Sequence, residues 1–224
     1  MKNAELSFVE WGSDVHVPPN NIENTRRIAE MQAEYGVKCS SYGTYFKIGV
    51  NPIEELLDCI NTAKILGTNV LRLWCGNKNS EKYTEEEKQK LFEECKRLSH
   101  IAEQQRSILC MECHSGTFTN TPESALELMQ SVNSEHFKMY WQPNQYRTEQ
   151  ENIESAEYLA PHTVNIHVFN WKGKNKLPLC EAVGIWQQYL AQFNREHTLL
   201  LEFMPDDRIE SLKTESKVLK ELAE

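Results

Sequence analysis

The sequence predicts an α/β fold, a parallel sheet closed into a (β/α)8 barrel, and three observations carry that expectation. Short β-rich runs alternate with longer amphipathic stretches along all 224 residues. Strand-then-helix repetition implies right-handed parallel crossovers. No glycine-rich phosphate loop follows the first strand, so the dinucleotide-binding signature of an open doubly wound sheet is absent. Polar residues also recur at the carboxyl ends of many different strands, where barrel enzymes assemble their sites.

In chain order, the first strand is LSFVEWG (6–12), and a helix over 21–35 starts after an Asn pair. VKCSSYG (37–43) is the second strand. The helix over 52–66 places Ile53, Leu56, Leu57, Ile60 and Ile65 on its apolar positions and stops at Gly67. NVLRLWCG (69–76) is followed by a helix over 84–105, which opens with Thr84 and three glutamates. A hydroxyl cap and early acids both suit the positive end of the helix dipole. SILCMECH (107–114) leads into a helix over 121–132 opening with Thr-Pro-Glu-Ser, and FKMYWQP (137–143) into one over 149–159. VNIHVFNW (164–171), a helix over 180–194, TLLLEFM (198–204) and a helix over 208–223 complete the series.

That makes seven strands, whereas a barrel of this kind has eight and runs to about 250 residues. The chain begins almost directly in a strand, so the expectation is a barrel lacking or truncated in its first β–α unit. Such a barrel has an exposed seam, which a second copy of the chain would cover as a homodimer. The length and 40% hydrophobic content suit one domain spanning 1–224.

Composition excludes several classes. No apolar stretch approaches the roughly 18 residues that span a bilayer. The N-terminus MKNAELSFVEW lacks a basic-then-apolar signal pattern. Seven scattered cysteines read as reduced thiols in a cytoplasmic protein. Cys110 and Cys113 form a C-x-x-C, but at that spacing on a strand they point to opposite faces, against a zinc knuckle. A formal charge of -9 argues against nucleic acid as a partner. The charge run at 78–90 reads as a solvated helix start.

Four apolar runs in the second half each end in a side chain able to grip a metal: LCMECH with Glu112, KMYWQPN with Gln142, VNIHVFNW with His167 and LLLEFMPDD with Glu202. A carboxylate inside a strand-like apolar run is costly to bury without a partner. Strand alternation puts Glu112 and His114 on one face with Cys110, Asn165 with His167 and Phe169, and Leu200 with Glu202. If those faces look inward, the four converge near one rim, and oxygen and imidazole ligands without thiolate suit Mn²⁺, Mg²⁺, Co²⁺ or Zn²⁺. The competing reading is four separately satisfied polar groups in a barrel core.

Further candidates surround this set. His16, with Asp14, follows the first strand and is placed to reach a substrate hydroxyl or to serve the loop. His114 is a substrate contact or supports Glu112. Arg72 shares a strand face with Trp74; an inward arginine needs a partner, either substrate or a carboxylate of the barrel. Trp11, Tyr42, Trp141 and Trp171 are aromatic walls for a sugar or else core. Lys172 and Asp207 are weaker candidates, and His100, His136, His162 and His197 read as surface residues.

The fragments FVEWGSDVHVPP, SSYGTYFKIG, AKILGTNVLRLWCG, ECHSGTFTNTPESALELM, YWQPN, IHVFNW and LEFMPDD make the chain resemble the sugar phosphate isomerase/epimerase family, xylose isomerase-like TIM barrels that include endonuclease IV relatives. In that family FVEWGSDVHVPP resembles a second strand. The resemblance implies a divalent cation held by Glu, Asp, His and Glu, here Glu112, Gln142, His167 and Glu202. Gln142 departs from the pattern: an amide oxygen ligates but removes one negative charge, so affinity should drop. The implied mechanism is proton transfer beside a carbonyl through a metal-stabilised enediolate, with Glu112 and Glu202 as the acid/base pair. The implied activity is a metal-dependent isomerase or epimerase acting on a sugar or keto-polyol. Two alternatives stay open: a lyase or dehydratase on a hydroxy-keto acid, and a degenerate barrel that binds without turnover. An endonuclease IV-type nuclease would need a richer ligand set and a basic surface.

Overall fold

A computed structural model describes residues 4–224, which pack as two compact units: Phe8–Tyr140, and Trp141–Glu224 with the described N-terminal residues up to Ser7.

The Phe8–Tyr140 unit repeats strand and helix: β1 (Phe8–Gly12), α1 (Ile22–Tyr35), β2 (Lys38–Ile48), α2 (Ile53–Leu66), β3 (Val70–Cys75), α3 (Glu85–Gln104), β4 (Ile108–Met111), α4 (Pro122–Val132) and β5, which runs Phe137–Trp141 and so ends on the first residue of the other unit. Each strand pairs in parallel with the next, β1 with β2 through β4 with β5. The helices start and stop where the local chemistry directs. Asn21 accepts from the Asn24 amide at the head of α1, and Gly36 closes it at φ 66, a left-handed conformation that only glycine adopts cheaply. Thr84 with Glu87 and Thr121 with Ser124 form reciprocal capping boxes on α3 and α4. The apolar stripe of α2 (Leu56, Ile60, Ala63) is fully buried together with Leu71 and Leu73 of β3. The strand expected to end at Gly43 continues through Tyr45–Ile48, and its pairing with β3 shifts register between Gly43 and Lys47. Glycine here marks an irregularity inside a strand, not its end.

In the Trp141–Glu224 unit the elements are α5 (Glu149–Leu159), β6 (Thr163–Val168), a two-residue hairpin pair β7 (Trp171–Lys172) and β8 (Asn175–Lys176), α6 (Val183–Leu190), β9 (Thr198–Leu201) and α7 (Leu212–Leu222). Strands β6 and β9 are parallel, with His167 opposite Leu200. The helix expected over 180–194 is a 3₁₀ turn (Leu179–Ala182) followed by only eight α-helical residues, and its first position lacks a side-chain cap. The hairpin turns through Gly173 at φ 60. The described residues thus hold the seven parallel strands that the repeat implied. Among them no helix is long and apolar enough to cross a membrane, and no cysteine is in a disulfide.

Candidate functional site

Within the Phe8–Tyr140 unit, polar groups gather around one arginine. Arg72 lies on β3 beside Cys110 of β4, and Glu112 stands one residue past the end of β4. Arg72 Nη1 donates to Glu112 Oε2 at 2.5 Å, and the Trp74 indole N–H donates to the same oxygen at 2.9 Å. On its other side Arg72 Nε donates to Glu10 Oε1 at 2.9 Å. Glu10 Oε2 in turn accepts from the Ser41 and Tyr140 hydroxyls, both at 2.8 Å. Burial opposes the arginine's charge, but Glu10 and then Glu112 overcome it and hold the guanidinium protonated well above its usual range. The Tyr140 hydroxyl is pushed far up, first by burial and then by Glu10. Gly43 makes room for the pair: a Cβ there would lie 2.8 Å from both Arg72 Nη2 and Glu10 Oε1. The strand end itself is fixed by the Thr119 hydroxyl on the Glu112 carbonyl at 2.6 Å.

Trp74 is packed on several sides. His114 stacks on it with ring centroids 4.5 Å apart, Tyr45 meets it edge-on at 5.2 Å, and Lys47 Nζ stands 5.2 Å from its ring centre. The Tyr45 hydroxyl donates to Asp14. Arg72, Trp74, His114 and Glu112 are therefore brought together. The sequence reading missed Glu10, Tyr45 and Lys47. Glu10 carried the same signal as Glu112, an acid inside an apolar strand run (FVEWG against LCMECH). His16 sits on the exposed loop after β1, its ring 5.7 Å from that of Trp11. The expectation that Tyr42 walls a substrate is corrected: it is fully buried, and its hydroxyl donates to the Val17 carbonyl at 2.5 Å.

The other unit brings two candidates, Gln142 and Glu202, to the imidazole of a third, His167. His167 Nδ1 is 3.0 Å from Gln142 Oε1 and 3.5 Å from Glu202 Oε1. His167 is the fifth residue of β6, and the Glu202 amide donates to the Val168 carbonyl at 3.1 Å, so the parallel ladder sets both side chains at one strand end. His167 is buried and the Glu202 side chain is 23% exposed. Trp141, also expected as a wall, is corrected to core: it is 2% exposed, its indole N–H reaches Ser155, and it packs against Trp186, Tyr189 and Phe193. Trp171 stacks on Phe203 at 4.4 Å, with Lys176 beside both rings and ion-paired to Asp207. It lines a cavity of about 350 Å³ with Arg147, Phe169 and Tyr189. His197, expected on the surface, is half-buried and bonded to the Val164 carbonyl.

Residues 1–222 match the family described as the xylose isomerase-like TIM barrel. The chain belongs to that family. The α/β barrel class expected from the strand–helix repeat is thus the family's own. One relative, a 3-dehydroshikimate dehydratase from Bacillus anthracis, is 24% identical over 197 residues, covering 78% of this chain and 69% of the relative. The crystal structure of the probable 3-DHS dehydratase AsbF of petrobactin synthesis, also from Bacillus anthracis, superposes with a TM-score of 0.81 at 20% identity, covering 98% of this chain and 90% of that one. A family protein from Mycobacterium smegmatis in complex with magnesium superposes with a TM-score of 0.72 at 14% identity, covering 99% of this chain and 85% of that one.

Proposed function

We propose that this chain is a divalent-metal-assisted lyase, a dehydratase that removes water from a hydroxy-keto acid by proton transfer beside the carbonyl. Glu112, His167 and Glu202 are the carboxylate and imidazole groups whose chemistry fits the cation, with the Gln142 amide oxygen as a neutral fourth donor. Oxygen and imidazole donors without thiolate suit Mg²⁺, Mn²⁺, Co²⁺ or Zn²⁺. When bound, the cation supplies Lewis-acid polarisation of the substrate carbonyl.

The observation that carries the lyase reading is the difference between the two glutamates. Glu112 Oε2 holds two donors, Arg72 and Trp74, so this carboxylate is committed to holding its place and its charge. We assign its Oε1 to the cation. Glu202, whose side chain is 23% exposed against 4% for Glu112, is the base. It takes the proton from the carbon next to the carbonyl and returns it to the departing hydroxyl. The C–H and C–O bonds break, a C=C bond forms, and water leaves. One acid/base group suffices for that sequence, whereas two-base epimerisation needs a second carboxylate that shuttles protons. The His114–Trp74 stack provides a flat wall for a ring, and Lys47 stands beside it to meet a substrate carboxylate. The sequence similarity to a 3-dehydroshikimate dehydratase supports the same substrate class.

The deciding experiment incubates Mn²⁺-loaded protein with 3-dehydroshikimate and with a panel of ketoses, and identifies products by mass. Loss of one water from the keto acid is expected, and Glu202→Gln abolishes it while still folding. Interconversion of ketoses without dehydration would return the reaction to the isomerase/epimerase class. Full metal loading with no turnover of either substrate set would favour a barrel that binds without catalysis.

A further inference from the structure

Glu10 has no place in the ligand set, yet the structure spends three polar side chains on it. Arg72, Ser41 and Tyr140 all donate to its two oxygens, and Gly43 leaves the space that the Arg72 pair occupies. A part-buried arginine held by one carboxylate would put its whole charge on that partner. Here it is shared between two, Glu10 at 2.9 Å and Glu112 at 2.5 Å.

We infer that Glu10 is a positioning residue of the proposed metal centre, acting through Arg72 to keep the charge of Glu112 available to a divalent cation. The inference rests on the reading of Glu112 as a ligand. Glu10, Arg72 and Glu112 together carry one net negative charge. Without the charge of Glu10 the remaining Arg72–Glu112 pair is neutral, and a cation approaching Glu112 meets a guanidinium that Glu112 alone must offset. That counter-charge matters more in this chain because Gln142 brings none. The geometry adds orientation: Ser41 and Tyr140 fix Glu10, Glu10 fixes Arg72, and Arg72 with Trp74 fixes the plane of the Glu112 carboxylate. Removing a residue that supports a metal ligand typically weakens metal affinity about 10–100-fold.

The test is calorimetric titration of Mn²⁺ into the full-length protein, its Glu10→Gln, Arg72→Gln and doubly substituted forms, with the folding of each checked by circular dichroism. Glu10→Gln keeps the size and removes the charge; with its amide oxygen toward Arg72, its N–H groups face the Ser41 and Tyr140 hydroxyls, which can turn to accept. It is expected to weaken Mn²⁺ about tenfold at unchanged stoichiometry. In the Arg72→Gln background the same substitution should change affinity less than about twofold, because the route of its action is gone. Glu10→Asp, which retains the charge, should recover most of the loss; if Glu10→Gln does not fold, Glu10→Met removes the charge at similar length and is expected to show the same loss. Wild-type affinity in Glu10→Gln, or an equal loss in both backgrounds, overturns the inference while leaving the metal centre standing. A wild-type protein that binds no Mn²⁺ overturns the metal centre and the role of Glu10 with it.

Discussion

Arg72 is the residue on which the polar cluster of the Phe8–Tyr140 unit turns. Its partners are one buried and one part-buried acid, so Arg72→Met should destabilise the fold by about 3 kcal/mol, because two carboxylates would lose their shared counter-charge. Urea unfolding measures this, and a loss under about 1 kcal/mol would mean that the carboxylates are satisfied without the guanidinium. Gly43→Ala probes the same cluster from the backbone side. The new methyl would meet Arg72 and Glu10 at 2.8 Å, so one of them must move, at about 1–3 kcal/mol. Tyr42→Phe is the contrasting case. It strands the Val17 carbonyl in the core and should lower stability by about 1–3 kcal/mol while leaving Mn²⁺ affinity as it was. A change in metal binding in Tyr42→Phe would restore that ring to the site.

At the scale of elements, the strands position the chemistry and the helix ends hold them in register. Glu112 follows β4, Gln142 follows β5, His167 is the next-to-last residue of β6, and Glu202 follows β9. The β6–β9 ladder continues into Glu202 through its own amide, which is why an apolar run ending in an acid could be read as a strand end from sequence. Helix caps are independent of this chemistry. Thr84→Ala removes one half of the capping box on α3 and should cost about 1 kcal/mol, with turnover per folded molecule unchanged. Elements less legible in the sequence have identifiable reasons. The second strand was expected to stop at Gly43, but Tyr45, Phe46 and Ile48 are good strand formers and carry β2 onward past a register shift. The helix expected over 180–194 shortened because the apolar pattern there begins in a 3₁₀ turn. The Trp171–Lys176 hairpin was invisible because two-residue strands carry no periodicity.

For the whole molecule, the relevant quantity is the linkage between folding and the cation. The chain carries a formal charge of -9, and its proposed ligands are acids and an imidazole. Binding to the native state alone stabilises by about 2.7 kcal/mol at a hundredfold excess over Kd. Mn²⁺ should therefore raise the unfolding temperature, and a chelator should reverse the gain and abolish turnover together. A melting temperature indifferent to Mn²⁺, Mg²⁺, Co²⁺ and Zn²⁺ alike would be incompatible with a resident metal.

The alternation of strand and helix, the seven parallel strands and the positions of Glu112, Gln142, His167 and Glu202 at strand ends were all set by local pattern, since periodicity and burial of apolar faces are properties of short segments. Which aromatic rings are core and which line a site was not, because Tyr42, Trp141 and Trp74 have indistinguishable local surroundings in sequence. The same holds for the partner of Arg72. Only the tertiary structure brings Glu10 from β1, Arg72 from β3 and Glu112 from beyond β4 into one hydrogen-bonded line. Electrostatic pairing depends on distance in space, and residues separated by 62 and 40 positions along the chain meet only when the strands lie side by side.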